Sequence, residues 1–307
     1  MPTRGRPHQS HPRSRQNARA TQHLLRTHPR MDRRHSRCRK YAGRFRAPQF
    51  AGRQLGHCMK RIGSVPYLNS VPLTHGIEHE TEYDVPSRLA EKLRSGQHDA
   101  ALVSITETLF HDGYDVLDGV AVASRGAVKS VFLAHKQPLE EIETIHCDTA
   151  SLTSVNLLRV LFAERGRIPK LEPLGGYRQS VSLENVLLIG NPAIDFLRAP
   201  HEHKIWDLGT AWHELTGLPF VFAVWALRRG HHDAALREKL RTAKTNGLAH
   251  LAETIETYPD YDAEFRQTYL GGHIQYDLGD NEKAGLAKFA ELLKTHGNQE
   301  VFAPLFV

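Results

Sequence analysis

From Ile62 onward, short apolar runs alternate with stretches in which apolar residues recur every three or four positions, and this alternation confines the chain to α/β layers with mostly parallel sheet. The runs at 61–65, 99–103, 130–134, 142–147, 184–189 and 219–227 are rich in Val, Leu, Ile and Phe, as strands buried on both faces are. Between them, Pro86 to Leu93 sets Leu89 and Leu93 on one helical face, with Gly96 just beyond, where a left-handed residue is favoured. A second helix, from Ser151 or Thr153 to Arg165, aligns Val155, Leu158, Leu161 and Phe162 before Gly166. After the strand through Val221 to Leu227 the pattern turns helical at 233–256, at 260–270 with Tyr261, Phe265 and Tyr269 four apart, and at 281–296. No strand-like run of comparable quality returns. The pattern alone fits either one extended sheet or two lobes with the last helices packed back on the first.

The first 58 residues are different in kind. They hold fourteen arginines and Lys40 against the single acid Asp32, leaving 25 of the chain's 40 Lys+Arg and 33 of its 34 Asp+Glu for residues 59–307, a balance of −8. The basic pI thus belongs to the extension. Its interleaved Pro, His, Gly and Gln, with no apolar core and no sustained amphipathic face, predict disorder. Met59 reads as the true start, because Lys60-Arg61-Ile62-Gly63-Ser64-Val65 begins a first strand directly after it. A nucleic-acid arm and a targeting peptide are the alternatives. The 249 residues from Met59 exceed the usual size of one core, so one large domain or two intimately linked domains are expected. Only Cys147 follows Cys58, which leaves no disulfide framework or Cys-based metal site and points to the reducing cytosol. Nowhere do eighteen consecutive apolar residues occur, so no membrane-spanning helix is predicted.

Three strand-to-helix turns carry the polar residues of interest. Pro66-Tyr67-Leu68-Asn69-Ser70-Val71-Pro72 follows the first strand and puts Asn69 and Ser70 at a strand's carboxyl end, the edge where open parallel sheets bind ligands. Asn69 either meets a ligand there or shapes a tight turn. Asp148-Thr149-Ala150-Ser151-Leu152-Thr153-Ser154 occupies the same place in the second half. Its hydroxyls go beyond what capping needs and, with the free N–H groups of a first helical turn, suit a carboxylate or phosphate. In Leu188-Ile189-Gly190-Asn191-Pro192, Gly190 lets backbone approach a ligand closely. Fourteen histidines lie beyond Met59, but the spacings His201-Glu202-His203 and His231-His232 match no ligand set, and surface loops are the expected home. The chain lacks a phosphate-binding Gly-x-x-x-x-Gly-Lys, a dinucleotide fingerprint and a Gly-x-Ser-x-Gly turn, which argues against nucleotide chemistry and serine hydrolysis.

Taken together, Arg61 to Leu73, Asp99-Ala100-Ala101-Leu102-Val103-Ser104, Asp148 to Ser154, Leu188 to Asn191, Asp207 to Trp212 and Thr216 to Trp225 resemble the chorismate dehydratases of the futalosine route to menaquinone, in order and over about 60–307. The resemblance implies a two-lobed fold like the type II periplasmic binding proteins. Lobe 1 would comprise 59–134 plus 222–307 and lobe 2 135–221, with Ser130 to Ala134 crossing outward and Phe220 to Leu227 crossing back. It implies a cytosolic lyase, a hydro-lyase without cofactor or metal, that converts chorismate to 3-[(1-carboxyvinyl)oxy]benzoate and water. The partner is that small molecule alone, with neither nucleic acid nor membrane; oligomeric state is not implied. By the same resemblance Asn69 is the catalytic residue, acting by orienting the substrate, since an amide is a poor base. Ser130 meets the substrate, and Thr153 and Ser154 hold a carboxylate. Ser70, Ser104, Ser151, Gly190 and Asn191 complete the expected substrate-binding set. Asn191 stands where relatives more often have aspartate, and Ser104 where proline is frequent. The rival functions are a non-catalytic solute-binding protein for a small carboxylate and the sister enzyme that makes dihydroxynaphthoate, whose first loop differs from Tyr67-Leu68-Asn69.

Overall fold

The computed structural model describes residues 61–297 and 299–307, so the expectations for residues 1–58 and for a start at Met59 lie outside the described residues. β1 (Ile62–Ser64) runs into a 3-10 helix at Leu68–Leu73; β2 (Thr81–Tyr83), α1 (Pro86–Arg94), β3 (Ala100–Ser104), α2 (Ile105–Phe110) and β4 (Tyr114–Ser124) follow. The chain then forms β5 (Val131–His135), β6 (Thr144–Cys147), α3 (Leu152–Ala163), β7 (Lys170–Pro173), β8 (Asn185–Ile189), α4 (Gly190–Arg198), β9 (Lys204–Asp207) and α5 (Leu208–Thr216). It returns through β10 (Phe220–Arg228) to α6 (Ala234–Ala249), α7 (Leu251–Thr257), α8 (Ala263–Thr268), a π-helical turn at Tyr269–His273, α9 (Asp280–His296) and β11 (Leu305–Phe306).

Two mixed sheets result, one ordered β11-β4-β10-β3-β1-β2 and the other β7-β6-β8-β5-β9. β1 pairs in parallel with β2 and β3, and β6 with β7 and β8. In each sheet the strand that has just arrived from the other sheet is antiparallel to both neighbours: β5 against β8 and β9, β10 against β3 and β4. Val131–His135 thus lies in the second sheet. We propose the two sheets as the cores of lobes spanning 61–124 with 220–307, and 131–216, joined by the chain at 125–130 and 217–219.

The strands that periodicity missed have plain physical causes. β4 carries Asp115, Asp118 and the exposed Gly119 within an otherwise buried run, and its register with β10 shifts between Val221 and Ala223 and again between Val224 and Ala226. β2, β7 and β9 are short edge strands with charged residues, the composition that discourages further pairing. The helical stretch expected over 233–256 breaks at His250, and β11 adds a strand where none was expected. Alternation along β5 sends Val131 and Leu133 into the main core, and Phe132 and Ala134 to a smaller one with Val186, Leu188 and Phe196. The sheet is thus covered on both faces. The main core continues from one lobe into the other. Trp212 of α5 packs edge-on against Phe220 and Phe289, with ring centroids 5.2 and 5.9 Å away, and its Nε1–H donates to the Pro219 carbonyl at 3.1 Å. Cys147 is buried, and desolvation pushes its thiol up to about 12. The native protein is therefore expected to resist alkylation at Cys147 below pH 9 and to react there once unfolded, as peptide mapping after iodoacetamide would read. Labelling of Cys147 in the folded state would contradict that burial.

Candidate functional site

Strand ends from both sheets open on one cavity. The loop after β1 contributes Tyr67 and Asn69, the end of β3 Ser104, the turn after β6 Ser151 and Ser154, and the end of β8 Ile189 and Gly190. The crossing segment adds Val128 and Ser130, and β4 and β10 supply Val122, Phe222 and Ala223. No charged residue is among these lining groups, so an anion held here must be met by hydroxyls, amides and helix N-termini.

Each polar group is placed by local structure. Ser104 precedes α2 without capping it; its Oγ instead meets Ser151 Oγ across the cleft at 3.2 Å. Ser151 caps α3, its Oγ accepting from Ser154 N–H at 3.3 Å and from Ser154 Oγ–H at 3.1 Å. Three hydroxyls from two lobes therefore gather at the start of α3, where the first-turn N–H groups have no intrahelical acceptor. Gly190 adopts a left-handed φ of +60°, and a Cβ there would stand 3.1 Å from the Tyr67 ring, so only glycine fits both the turn and the close approach.

Elsewhere at this cavity, Tyr269 donates to Ser130 Oγ at 2.7 Å, with the Asn69 side chain close to the same phenol. Burial drives this phenol well above the ordinary tyrosine range, against the opposing pull of Ser130 and Asn69, so it is a neutral O–H near neutral pH. The Ser130 carbonyl accepts from Gly190 N–H at 2.8 Å. The segment leading to Ser130 is held by Asp207, whose carboxylate accepts from Val128 N–H at 3.1 Å and Lys129 N–H at 2.8 Å while capping α5 through Thr210 N–H at 3.0 Å. Gly209 lets that segment lie on the start of α5, since a Cβ there would meet Gly126 O at 2.4 Å.

Of the residues singled out from sequence, Asn69, Ser104, Ser130, Ser151, Ser154 and Gly190 line the cavity, whereas Ser70, Thr153 and Asn191 do not. Ser70 is buried, its hydroxyl donating to the carbonyls of Val65 at 2.6 Å and Tyr67 at 2.8 Å, which fixes the loop that presents Asn69. Thr153 Oγ1 accepts from Thr106 N–H at 3.0 Å and Asn191 Oδ1 from Leu68 N–H at 3.2 Å, so both join the lobes rather than face the cavity. An oxygen is all that the Leu68 contact requires, and asparagine supplies it where aspartate is frequent. Sequence reasoning missed Tyr269 and Asp207. Tyr269 was visible only as one member of an apolar helical stripe, and Asp207 only as the first residue of a segment that carries the family resemblance. Asp148 is buried beside a second cavity with Ser87 and Tyr177, and burial raises its carboxyl despite hydrogen bonds from Ala150 N–H and Tyr177 O–H. The paired histidines are not all on surface loops: His203 is buried, with Nε2 2.6 Å from the Leu183 carbonyl, and His232 stands 2.7 Å from Asp115.

The sequence family described as menaquinone biosynthesis matches residues 60–295. A chorismate dehydratase of Thermus thermophilus is 36% identical over 276 residues, which covers 80% of this chain and 97% of the relative. Among solved structures, a protein of Archaeoglobus fulgidus superposes with a TM-score of 0.62 at 18% identity, over 78% of this chain and 98% of its own. A periplasmic sulfonate-binding protein of Methylobacillus flagellatus superposes with a TM-score of 0.53 at 12% identity, over 81% and 91%. The fold is therefore of the two-lobed periplasmic-binding-protein kind.

Proposed function

This chain belongs to the menaquinone-biosynthesis family, and from that premise we propose how its cleft removes water from chorismate. The protein is a lyase, a chorismate dehydratase of menaquinone biosynthesis. The observation that carries the mechanistic reading is a cavity lined without charged residues that holds a serine cluster at a helix start together with Asn69 and Ser130. Ser151, Ser154 and the first N–H groups of α3 hold one carboxylate of the substrate, with Ser104 reaching it from the other lobe. Leu102, Val122, Val128 and Phe222 enclose the ring and exclude water.

Asn69 and Ser130 then orient the ring. An amide does not take a carbon-bound proton near neutral pH, so the base in this reading is the substrate's own enolpyruvyl carboxylate. The proton leaves the ring carbon to that carboxylate, and the electron pair of the broken C–H bond enters the ring. The C–O bond to the ring hydroxyl breaks with its pair on oxygen, and hydroxide takes up the proton as water. The product ring is aromatic, which supplies the driving force; the step is redox-neutral and calls for no cofactor. Orientation and a dry, polarised site are what the protein contributes. We place the enzyme in the cytosol, and no helix among the described residues is long and apolar enough to cross a membrane.

Incubating the purified protein with chorismate and separating the products should yield 3-[(1-carboxyvinyl)oxy]benzoate at a rate indifferent to EDTA. Unchanged chorismate together with a raised Tm would instead make this a binding protein. Replacing Ser151 and Ser154 together by alanine should raise KM about tenfold or more, with a smaller change in kcat, because each hydrogen bond to a charged group contributes about 1.5 to 3 kcal/mol. Loss of the α3 cap should cost about 1 kcal/mol of stability as well. An unaltered KM would place the carboxylate elsewhere.

A further inference from the structure

We propose that Tyr269 is a positioning residue for the dehydration, setting the hydrogen-bond polarity of Ser130. The inference rests on the chorismate reading above and extends it to a residue that does not line the cavity. Tyr269 opens the π-helical turn that follows α8, and it is 1% exposed. Its ring stacks on Phe265 with centroids 5.5 Å apart and planes 15° from parallel, which fixes the direction of the C–O bond. The hydroxyl has a single proton, and that proton goes to Ser130 Oγ at 2.7 Å.

The consequence for Ser130 follows from counting. Its oxygen already accepts from Tyr269, so its own O–H is left to donate, and Ser130 lines the cavity. A chain from Tyr269 O–H to Ser130 O–H thus gives the cleft one donor of fixed sense, Ser130. A serine hydroxyl held as a donor can stabilise the oxygen that leaves the ring with its electron pair, a role a freely rotating hydroxyl fills less often. The π-helical backbone suits this placement, because such turns re-aim a side chain within a helix.

The test compares the full-length parent with Tyr269→Phe, Ser130→Ala and the double variant, measuring kcat and KM for chorismate and Tm for each. Phe keeps the stack on Phe265 and removes only the hydroxyl. The proposal predicts that Tyr269→Phe lowers kcat tenfold or more with KM within threefold of the parent. It also predicts that adding Tyr269→Phe to Ser130→Ala lowers kcat less than threefold further, because the hydroxyl acts through Ser130. Parental kcat in a folded Tyr269→Phe variant overturns it, and so do fully multiplicative losses in the double variant. Should Tyr269→Phe lose its fold, Ser130→Ala decides from the other end, since parental kcat there leaves Tyr269 nothing to act through and overturns the proposal too. A parent that leaves chorismate untouched sinks the underlying functional reading instead, a result distinguishable from all of these.

Discussion

Asn69→Ala is expected to fold normally and to lose on the order of a hundredfold in kcat for chorismate dehydration, with a much smaller rise in KM. The loop that presents Asn69 is not built by Asn69. Ser70 ties it down through Val65 O and Tyr67 O, Leu68 N–H is held by Asn191 across the cleft, and Leu68 and Leu73 are fully buried beneath it. Removing the amide leaves that scaffold intact, so the measured loss reports on the substrate and not on the loop. A displacement of about 1 Å in the reacting geometry is enough for an effect of this size. Steady-state kinetics with a parallel melting curve checks it. A folded variant that turns over chorismate at the parental rate would reduce Asn69 to a turn residue.

The second large effect is expected far from the ring, at Asp207. Its carboxylate caps α5 and holds the N–H groups of Val128 and Lys129, the latter in a left-handed conformation with φ 64°. A non-glycine residue keeps such a φ only where its surroundings enforce it. Asp207→Ala removes a helix cap, about 1 kcal/mol, and leaves the Val128 N–H, next to a fully packed side chain, without its acceptor, a further 1 to 2 kcal/mol or so. For a folded part of this size, the corresponding fall in Tm is roughly 5 to 10 °C. The crossing segment carries Ser130 at its end, so kcat should fall at least tenfold even well below the new Tm. Asp207→Asn, which keeps one acceptor oxygen, should recover part of both losses. A variant with parental Tm and kcat would show that the crossing segment is held by its strands alone.

Neither Asp207 nor Tyr269 stands out in the sequence as belonging to a site, and the reason is distance along the chain. The contact from Tyr269 to Ser130 spans 139 residues and that from Asp207 to Val128 spans 79. A helical stripe of Tyr261, Phe265 and Tyr269 reads as apolar packing, and only the fold reveals that the last hydroxyl of the stripe ends beside Ser130. Thr153 and Asn191 show the converse. Hydroxyl and amide at a strand end look like ligand groups, yet their oxygens are taken up by N–H groups of the other lobe at 3.0 and 3.2 Å.

The residues that the chain's own pattern determined are those governed by short-range physics. Apolar runs mark β1, β3, β5, β8 and β10 because strands buried on both faces need uninterrupted side chains of that kind, and β6 alternates buried with half-buried residues. Ser151 announces a helix start because a cap must sit next to the turn it satisfies. Asn69, Ser151, Ser154 and Gly190 were readable as polar or glycine positions at strand ends, where a sheet leaves room for a ligand, whereas Ser104 and Ser130 came from the family resemblance. Tertiary structure alone decided that Val131–His135 joins the second sheet, because strand partners are chosen by the whole fold and an apolar run fits either side. It also decided which hydroxyls face the cavity and which fasten the lobes, since a hydrogen-bond donor is committed only when its acceptor, brought from a hundred residues away, comes within 3 Å or so.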